Sequence, residues 1–250
     1  MSVGAGYYKI PKSKYKEPKF FDINIKNCTI TYKVVIKPFF NGNWTQARKM
    51  TFKNKMKKAI ESTFNKNNYL IIPKRQKSNC CPCKKGFKPI VKISFTSKGL
   101  LSSNWKIYVK ANPNKKNMPS YVSLMDNWGH FDEDDVTPYH HADGVIIKRD
   151  ANGKIISVTK YYQISVVHEF GDFLGLRHPG DKSLHGNDNS DEAYRYRGKE
   201  KRFGGVFTLD NDVDGRKDLM GVGSELRPFY FDKWKNKLNS KYGDCNYEIK

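Results

Sequence analysis

The sequence lacks any long apolar segment. It contains no run of about eighteen apolar residues, the length needed to span a bilayer, so it predicts no membrane-spanning helix. The first residues, Met1 to Gly6, also lack the apolar core of a signal peptide. If the protein acts outside its producing cell, we expect it to leave by a specialised route, within a larger polypeptide, or after removal of a signal.

Acidic residues are scarce in the front half of the chain. Residues 1–124 contain 27 Lys or Arg against 3 Asp or Glu, whereas residues 125–220 contain 13 against 18. A basic face can bind nucleic acid, an anionic membrane surface or an acidic partner protein, or it can reflect a Lys-rich composition without a binding role. No module of clustered Arg and aromatic residues is recognisable, which argues against nucleic acid as the partner.

Cysteine is sparse, and its arrangement disfavours a structural zinc clip. The five cysteines are Cys28, Cys80, Cys81, Cys83 and Cys245. Cys80 and Cys83 form C-x-x-C, but a second pair of ligands with suitable spacing is missing. Disulfides of an exported protein are favoured instead, pairing the cluster with Cys28 or Cys245. An odd count leaves at least one thiol unpaired or bonded to another chain.

The most informative segment is residues 168–178, which read His-Glu-Phe-Gly-Asp-Phe-Leu-Gly-Leu-Arg-His. The spacing H-E-x-x-D places His168 and Asp172 one turn apart on the same helix face, where both can bind one metal ion. Glu169 follows the first ligand and projects beside the metal, where a general base for a metal-bound water belongs. These positions are typical of a catalytic metal helix.

The end of the same segment supplies a third ligand. Gly175 can adopt a positive φ, which ends the helix and reverses the chain toward His178. Three protein ligands and one water form an open, catalytic zinc site rather than a closed structural one. Apolar residues at helical spacing predict a helix over about 161–174: Tyr161, Tyr162, Ile164, Val167, Phe170, Phe173 and Leu174.

The motif resembles that of the metzincin zinc metallopeptidases, H-E-x-x-H-x-x-G-x-x-H followed by a Met-containing turn. The candidate turn is residues 218–223, Asp-Leu-Met-Gly-Val-Gly. The resemblance implies that Met220 forms an apolar floor beneath the metal ligands, and the alternative is an ordinary buried Met. The matching letters, about 161–180 and 218–223, look most like small secreted or toxin-type bacterial peptidases.

Asp172 is the departure from the metzincin pattern, because the family has His at that position. A carboxylate can bind zinc, but Asp has a shorter reach and its charge weakens the zinc ion as a Lewis acid. Three explanations stay open: an active variant with a His-Asp-His site, a naturally inactive relative, or a chain with an inactivating change. In addition, Val222 stands where some metzincins place a Tyr near the metal.

The order of predicted elements indicates an α+β fold. The resemblance implies a twisted mixed β-sheet with a zinc-motif helix, a Met-turn and a C-terminal helix. A basic arm, 1–25, precedes a single domain, 26–250, whose basic part is about 26–124 and whose motif-bearing half is about 125–250. We expect strands at 28–39, 69–72, 88–96 and 104–110, helices at 45–66 and 229–242, a hairpin at 143–149 and 154–160, and mostly irregular chain at 74–86, 111–142 and 179–217.

The loop before the candidate Met-turn carries a calcium-like pattern. Asp210, Asp212 and Asp214 have the D-x-D-x-D-G spacing of a calcium loop, with Asp218 further on. The position that should hold the closing Glu is Gly221. A Ca²⁺ site and an acidic turn leading to Met220 both fit the pattern.

The sequence supports two functions of different classes. The first is a zinc-dependent endopeptidase acting on a protein or peptide substrate, secreted or delivered outside the producing cell as an effector or toxin. An inhibitor or immunity protein would then be its natural partner. The second is a catalytically silent protein that uses the basic front half to bind a protein, nucleic acid or an anionic surface. A zinc-dependent amidase or deacetylase is a weaker third option.

Overall fold

The structure is a computed structural model. It describes residues 21–74, 81–98, 105–111, 120–123, 128–139, 145–176, 200–203, 206–209, 218–220 and 223–250. Of residues 145–149, 200–203 and 206–209 only the backbone is described.

A six-stranded mixed sheet is built around one long strand. This strand, β2, spans Thr29–Asn41 and confirms the strand predicted at 28–39. It pairs antiparallel with β1 and parallel with both β4 and β5, while β7 pairs parallel with β5 and antiparallel with β6. The strands up to this point are β1 Phe21–Asn24, β2, β3 Ile71–Pro73, β4 Lys88–Phe95, β5 Trp105–Lys110, β6 Tyr121–Ser123 and β7 Trp128–Asp132.

Alternation of side chains gives the sheet one buried face. Ile30, Val34 and Ile36 of β2 are fully buried, and Ile107 and Val109 of β5 join them in the same apolar cluster. β-Branched and aromatic residues suit such a pleated, half-buried surface. The buried face packs against helices, and the opposite face carries the exposed side chains.

Helix α1, Gln46–Asn65, confirms the amphipathic helix predicted at 45–66. It begins after Thr45, whose side chain accepts a hydrogen bond from the Arg48 amide at 3.2 Å. Met56, Ile60 and Phe64 follow each other at four-residue steps and are fully buried. This spacing holds one helix face on the sheet.

The motif half adds two hairpins and a C-terminal helix. Strands β8, Val145–Arg149, and β9, Ile155–Lys160, confirm the hairpin predicted around Asn152-Gly153. Helix α2, Ser165–Phe173, follows it, and helix α3, Asp232–Lys241, lies near the C-terminus. The remaining strands are β10 Glu200–Phe203 and β11 Val206–Leu209, which pair with each other, and β12 Tyr247–Ile249, which pairs with β3.

Several predicted boundaries are wrong. Residues 111–142 contain β6 and β7, and residues 179–217 contain β10 and β11. These short strands lack a clear local pattern and form by pairing with each other, and β7 also pairs with β5. The metal helix starts at Ser165 rather than 161, and the strand expected at 69–72 lies at 71–73. Residues 21–24 of the expected arm form β1, and β12 was not predicted.

Two disulfides connect the Cys-rich loop to distant parts of the chain. Cys83 is bonded to Cys28, and Cys81 is bonded to Cys245. The predicted pairing of the cluster with Cys28 or Cys245 is therefore confirmed for both partners. Cys80 lies outside the described residues.

The architecture is mixed α and β, with a mixed sheet and a C-terminal helix, and is consistent with the predicted α+β class. Within the described part of the chain, no helix is both long enough and apolar enough to span a membrane.

Candidate metal centre

Aromatic packing holds helix α2 on the sheet. The Phe173 ring stacks on the Trp105 indole of β5 with 4.8 Å between centroids. Phe170 contacts the same indole and meets Phe64 of α1 edge to face at 5.3 Å. All four rings are buried, so the helix has a fixed position from which to present its polar face.

Three potential metal-binding side chains meet on that polar face. One ligand atom each from His168, Glu169 and Asp172 lies within 4.8 Å of the others. His168 Nε2 is 3.9 Å from Asp172 Oδ2, which confirms that the i and i+4 residues share one face. Two ligands of a tetrahedral zinc ion are roughly 3.4 Å apart, so a small shift would bring this pair into ligand geometry.

The helix ends as the glycine predicts. Gly175 has a φ of +70°, and its amide donates to the Asp172 carbonyl at 2.7 Å. The Leu176 amide donates to the Gly171 carbonyl at 2.9 Å, which completes a Schellman-type end. The chain therefore reverses three residues before the third predicted ligand. His178 itself lies outside the described residues.

The candidate Met-turn lies directly against the motif helix. The Leu219 carbonyl is 3.0 Å from His168 Nδ1, and the neighbouring Met220 is fully buried. Metal-bound imidazoles commonly donate their second N–H to a carbonyl in this way, which orients the ring. A Cβ on Gly171, between the two ligand positions of α2, would lie 2.3 Å from Met220 Sδ. Met220 thus packs beneath the ligand-bearing turn.

Gly171→Ala is therefore expected to destabilise the fold, although alanine is the better helix former. The helix propensity gain is about 1 kcal/mol, whereas overpacking a core costs about 1–3 kcal/mol. Urea unfolding would measure the difference, with Gly243→Ala as the matched control because a Cβ there meets nothing within 4 Å. A more stable Gly171→Ala protein would contradict the close packing of Met220.

Asp218 organises the other end of the turn. Its carboxylate is fully buried and accepts hydrogen bonds from the Met220 amide at 2.8 Å, from Arg227 Nε at 3.1 Å and from the Tyr230 hydroxyl. Arg227 thus partly compensates its charge, as a buried carboxylate requires.

These contacts give the Asp218 carboxylate partners in Arg227, Tyr230 and the turn backbone. A calcium ion at Asp218 stays a prediction. Asp210, Asp212 and Asp214 lie outside the described residues, so a calcium site at those three positions stays a prediction.

Comparisons with protein-family models, with curated proteins and with solved structures found no match to this chain. The metal-site argument therefore depends on the geometry and chemistry of these side chains.

Glu169 is buried beside the potential ligands, at the position predicted for a general base. Its side chain is part of a residue only 8% exposed, and Ser120 Oγ donates to its Oε1 at 3.3 Å. Ser120 immediately precedes β6, so Glu169 contacts the start of this edge strand of the sheet. Ser120 was not predictable from the sequence, because no local pattern relates it to a residue 49 positions away.

A second set of polar side chains, from Gln163 and Tyr139, lies at the start of α2. Gln163 is buried, and its Nε2 lies 2.9 Å from His168 Nδ1 and 3.2 Å from the Leu219 carbonyl. The Tyr139 hydroxyl donates to Gln163 Oε1 at 3.1 Å. Burial raises the pKa of the Tyr139 phenol, and the charges of Asp135 and Glu169 raise it further. Sequence reasoning missed both Gln163 and Tyr139.

Asp135 supports the helix from the loop after β7. Its carbonyl accepts from the Val166 amide at 3.1 Å, and its Oδ2 accepts from the Asp132 amide at 2.7 Å. Burial raises the pKa of Asp135 to about 7, while the hydrogen bonds from the Asp132 amide and Ser165 lower it. The fold therefore favours the protonated carboxyl.

The raised pKa gives Asp135→Asn a specific pH signature. An acid whose pKa is raised by folding costs no stability below its unfolded pKa of about 3.9, and the full cost is present above the folded value. The free energy of unfolding of the variant, relative to that of the original chain, should therefore rise as pH rises from about 4 to 7. Above pH 7 the difference should stay constant. The gain is at most roughly 4 kcal/mol at 1.36 kcal/mol per pKa unit.

Chemical denaturation at a series of pH values measures this effect. Asp244→Asn is the control, because Asp244 is an exposed aspartate far from Asp135 in sequence. A difference between Asp135→Asn and the original chain that does not change with pH would refute the raised pKa.

Proposed function

We propose that the protein is a zinc-dependent endopeptidase of metzincin type, with His168, Asp172 and His178 as metal ligands and Glu169 as general base. The observation that carries the proposal is the convergence of His168, Glu169 and Asp172 within 4.8 Å, on a helix whose end turns back at Gly175. If the motif matched by chance, there would be no reason for Glu169 to be buried, for the helix to end at Gly175 or for Met220 to pack beneath the same turn.

The donor set fits zinc. Imidazole nitrogen and carboxylate oxygen are both ordinary zinc ligands, and a site with three protein ligands leaves a position for substrate or water. The Leu219 carbonyl can accept the Nδ1 proton of His168, which leaves the Nε2 lone pair directed toward Asp172. When bound, the ion would polarise a peptide carbonyl and lower the pKa of a nearby water.

The remaining chemistry belongs to the side chains of this protein. Glu169 accepts a proton from the attacking water at its carboxylate and passes it to the leaving amine. The Ser120 hydroxyl donates to one oxygen of that carboxylate and so helps to fix its position. Burial of Glu169 restricts competing bulk water around the proton transfer.

Strand β6, at one edge of the sheet, provides a place for an extended substrate. Among the described residues, β6 pairs only with β7, and Ser120 links its start to Glu169. An exposed strand edge can hydrogen-bond an extended peptide through main-chain groups. This arrangement favours a peptide substrate over a small-molecule amide. Secretion or delivery as a toxin or effector, with an inhibitor or immunity protein as partner, belongs to the same proposal.

The 3.9 Å separation of His168 and Asp172 favours the explanation in which Asp172 is a working ligand. If the Asp172 carboxylate lay too far from the His168 imidazole to share a metal ion with it, the explanation as an inactive relative would have been favoured. Its negative charge still lowers the Lewis acidity of the metal, so an active His-Asp-His site should be slower than one with three histidines.

Zinc content and casein cleavage, measured side by side on the original chain and on Asp172→His, test the proposal. We expect about one zinc per chain and cleavage in both proteins, with faster cleavage by Asp172→His. Zinc and cleavage only after the substitution would identify a disabled peptidase. Zinc and cleavage in neither protein would exclude the peptidase function.

The alternative function, binding through the basic half, has its own structural observation. Lys37 and Lys106 are register partners on the exposed face of the sheet, and Lys33 and Lys92 form a second such pair, in which Lys33 also makes an ion pair with Asp22 at 2.7 Å. Like charges directly opposite each other destabilise a sheet. An acidic partner protein on this face would relieve that repulsion, and such binding without turnover would favour a catalytically silent protein.

A further inference from the structure

The exposed face of the sheet carries a continuous row of aromatic rings. Phe39 of β2, Tyr108 of β5, His130 of β7 and Tyr121 of β6 are register partners across four neighbouring strands. In that order their ring centroids are 5.1, 5.2 and 4.8 Å apart, and the interplanar angles are 18°, 20° and 9°. This aromatic row lies on the face opposite α2, because Trp105, which contacts the helix, points the other way from β5.

A second row of side chains runs beside the aromatic row on the same face. Lys37, Lys106 and Trp128 are register partners, each two residues before a ring of the aromatic row. The two rows are about 7 Å apart, because a strand rises about 3.4 Å per residue. The Trp128 indole connects them, since its centroid lies 4.4 Å from that of His130 at an interplanar angle of 72°.

Positive charge dominates this face of the sheet. Its acidic side chains in the described strands are Asp22, which is paired with Lys33, and Asp132, which is buried. Burial lowers the pKa of His130, so at neutral pH its ring stacks in the uncharged form. The lysines of this face are Lys33, Lys37, Lys88, Lys92, Lys106 and Lys110.

The two ends of the aromatic row differ. At one end, Lys37 Nζ lies 5.4 Å from the centroid of the Phe39 ring. The other end is Tyr121, which is 47% exposed and lies on β6, a strand that pairs with β7 alone in the described part of the sheet. One face of the Tyr121 ring stacks on His130, so a flat ring placed against its outer face would continue the row.

A ligand that fits this face combines a flat ring with negative charge. The side chains of an acidic protein supply carboxylates without rings, whereas each nucleotide supplies both a base and a phosphate. Proteins that bind single-stranded nucleic acid combine aromatic rings, on which bases stack, with a basic surface that follows the phosphates. In duplex DNA the bases are already stacked on each other and do not offer a free face.

We propose that this face binds single-stranded nucleic acid, with one base stacked on the outer face of Tyr121 and phosphates against Lys106 and Lys37. The sequence-based argument against nucleic acid depended on residues that are neighbours in the chain, whereas these rings come from four strands. The inference goes beyond the proposed function and does not rest on the metal site. A peptide paired to β6 would compete with the base for the same edge.

Tyr121→Ala tests the stacking contact. It should weaken the binding of a fluorescein-labelled oligothymidylate of about 16 nucleotides by about 5–150-fold, the loss typical when one base loses its aromatic partner. Tyr121→Trp keeps a flat ring and should restore the affinity. Tyr162→Ala is the control, because Tyr162 is similarly exposed, at 53%, and lies outside both rows. Fluorescence anisotropy measures each affinity, and binding of duplex DNA should not depend on Tyr121.

Lys37→Gln combined with Lys106→Gln tests the phosphate contacts. The slope of log affinity against log salt concentration should become shallower by roughly 1.4, since each phosphate contact of a single strand contributes about 0.7. Lys55→Gln combined with Lys58→Gln is the matched control, because it removes the same charge from the exposed side of α1. That control should leave the slope unchanged.

The inference is overturned if the oligothymidylate does not bind, or if Tyr121→Ala binds it as tightly as the original chain. It is also overturned if the two lysine variants weaken binding equally, because any polycation would behave in that way. Binding of polyglutamate or heparin that needs the lysines but not Tyr121 would assign the face to an acidic protein or polysaccharide instead. None of these measurements depends on zinc or on cleavage, so the inference and the proposed function can fail separately.

Discussion

Glu169→Gln is expected to abolish proteolysis while zinc stays bound. Glutamine has nearly the same shape as glutamate and can still accept the hydrogen bond from Ser120. It cannot take a proton from water, so the general-base contribution, about 10²–10⁴-fold in rate, is lost. We therefore expect casein cleavage to fall to background at an unchanged zinc content.

Glu61→Gln is the matched control for this change. Glu61 is a partly buried glutamate of α1, and its Oε1 accepts from the Ile93 amide at 2.7 Å, a bond that glutamine preserves. The control should cleave casein like the original chain. Turnover that survives Glu169→Gln in zinc-loaded protein would refute the assigned base, and loss of zinc would make Glu169 a ligand instead.

Features that depend on neighbouring residues were predictable from the sequence. Gly175 ends α2 with a positive φ because few other residues adopt that conformation without strain. Met56, Ile60 and Phe64 of α1 are buried because their spacing places them on one face. The shared face of His168 and Asp172 follows from the same helical geometry.

Features that depend on distant residues were not predictable. Strands β6 and β7 have only three and five residues, and they form because β5 and each other offer partners. Gln163 contacts the carbonyl of Leu219, which lies 56 positions later in the sequence, and no local pattern predicts such a contact. The hydrogen bonds of Asp218 to Arg227 and Tyr230 were not predictable either, because both partners lie after the calcium-like pattern.

The buried environment of the site also changes what its sequence can say. The motif places two carboxylates, Glu169 and Asp172, at the candidate site. Whether each can take its proposed role depends on the residues around it. Glu169 is buried beside Ser120, and Asp172 keeps partial solvent access and faces His168. The sequence alone therefore does not show whether Asp172 can replace a histidine. That depends on how far the Asp172 carboxylate lies from the other ligands, here 3.9 Å from His168 Nε2.

Removal of the Cys81–Cys245 disulfide is expected to cause a large loss of stability. The bond joins residues 164 positions apart, and the chain-entropy model gives about 5 kcal/mol for a loop of that length. Both cysteines are buried, and the adjacent β12 closes on β3 while the Tyr247 hydroxyl bonds to the Pro82 carbonyl. Cys81→Ala with Cys245→Ala should therefore release the C-terminal segment and lower the free energy of unfolding by several kcal/mol.

The Cys28–Cys83 disulfide provides the comparison, since it closes a shorter separation of 55 positions. The same model gives about 4 kcal/mol, and both cysteines adopt left-handed backbone, with φ of +49° and +54°, which offsets part of the gain. We expect the paired alanine substitution at Cys28 and Cys83 to cost less than the one at Cys81 and Cys245. Cys80→Ala, which keeps all four bonded cysteines, is the control.

Urea unfolding of the oxidised proteins measures the order of these losses, and a thiol titration verifies which bonds each variant retains. Equal stability of all variants would mean that the bridges constrain little of the unfolded chain. A large loss would tie folding to an oxidising compartment, because cytosolic thiol buffers keep such cysteines reduced. Under the proposed function, a protein that becomes stable only after export would be less active inside the producing cell, as the proposed toxin-type role requires.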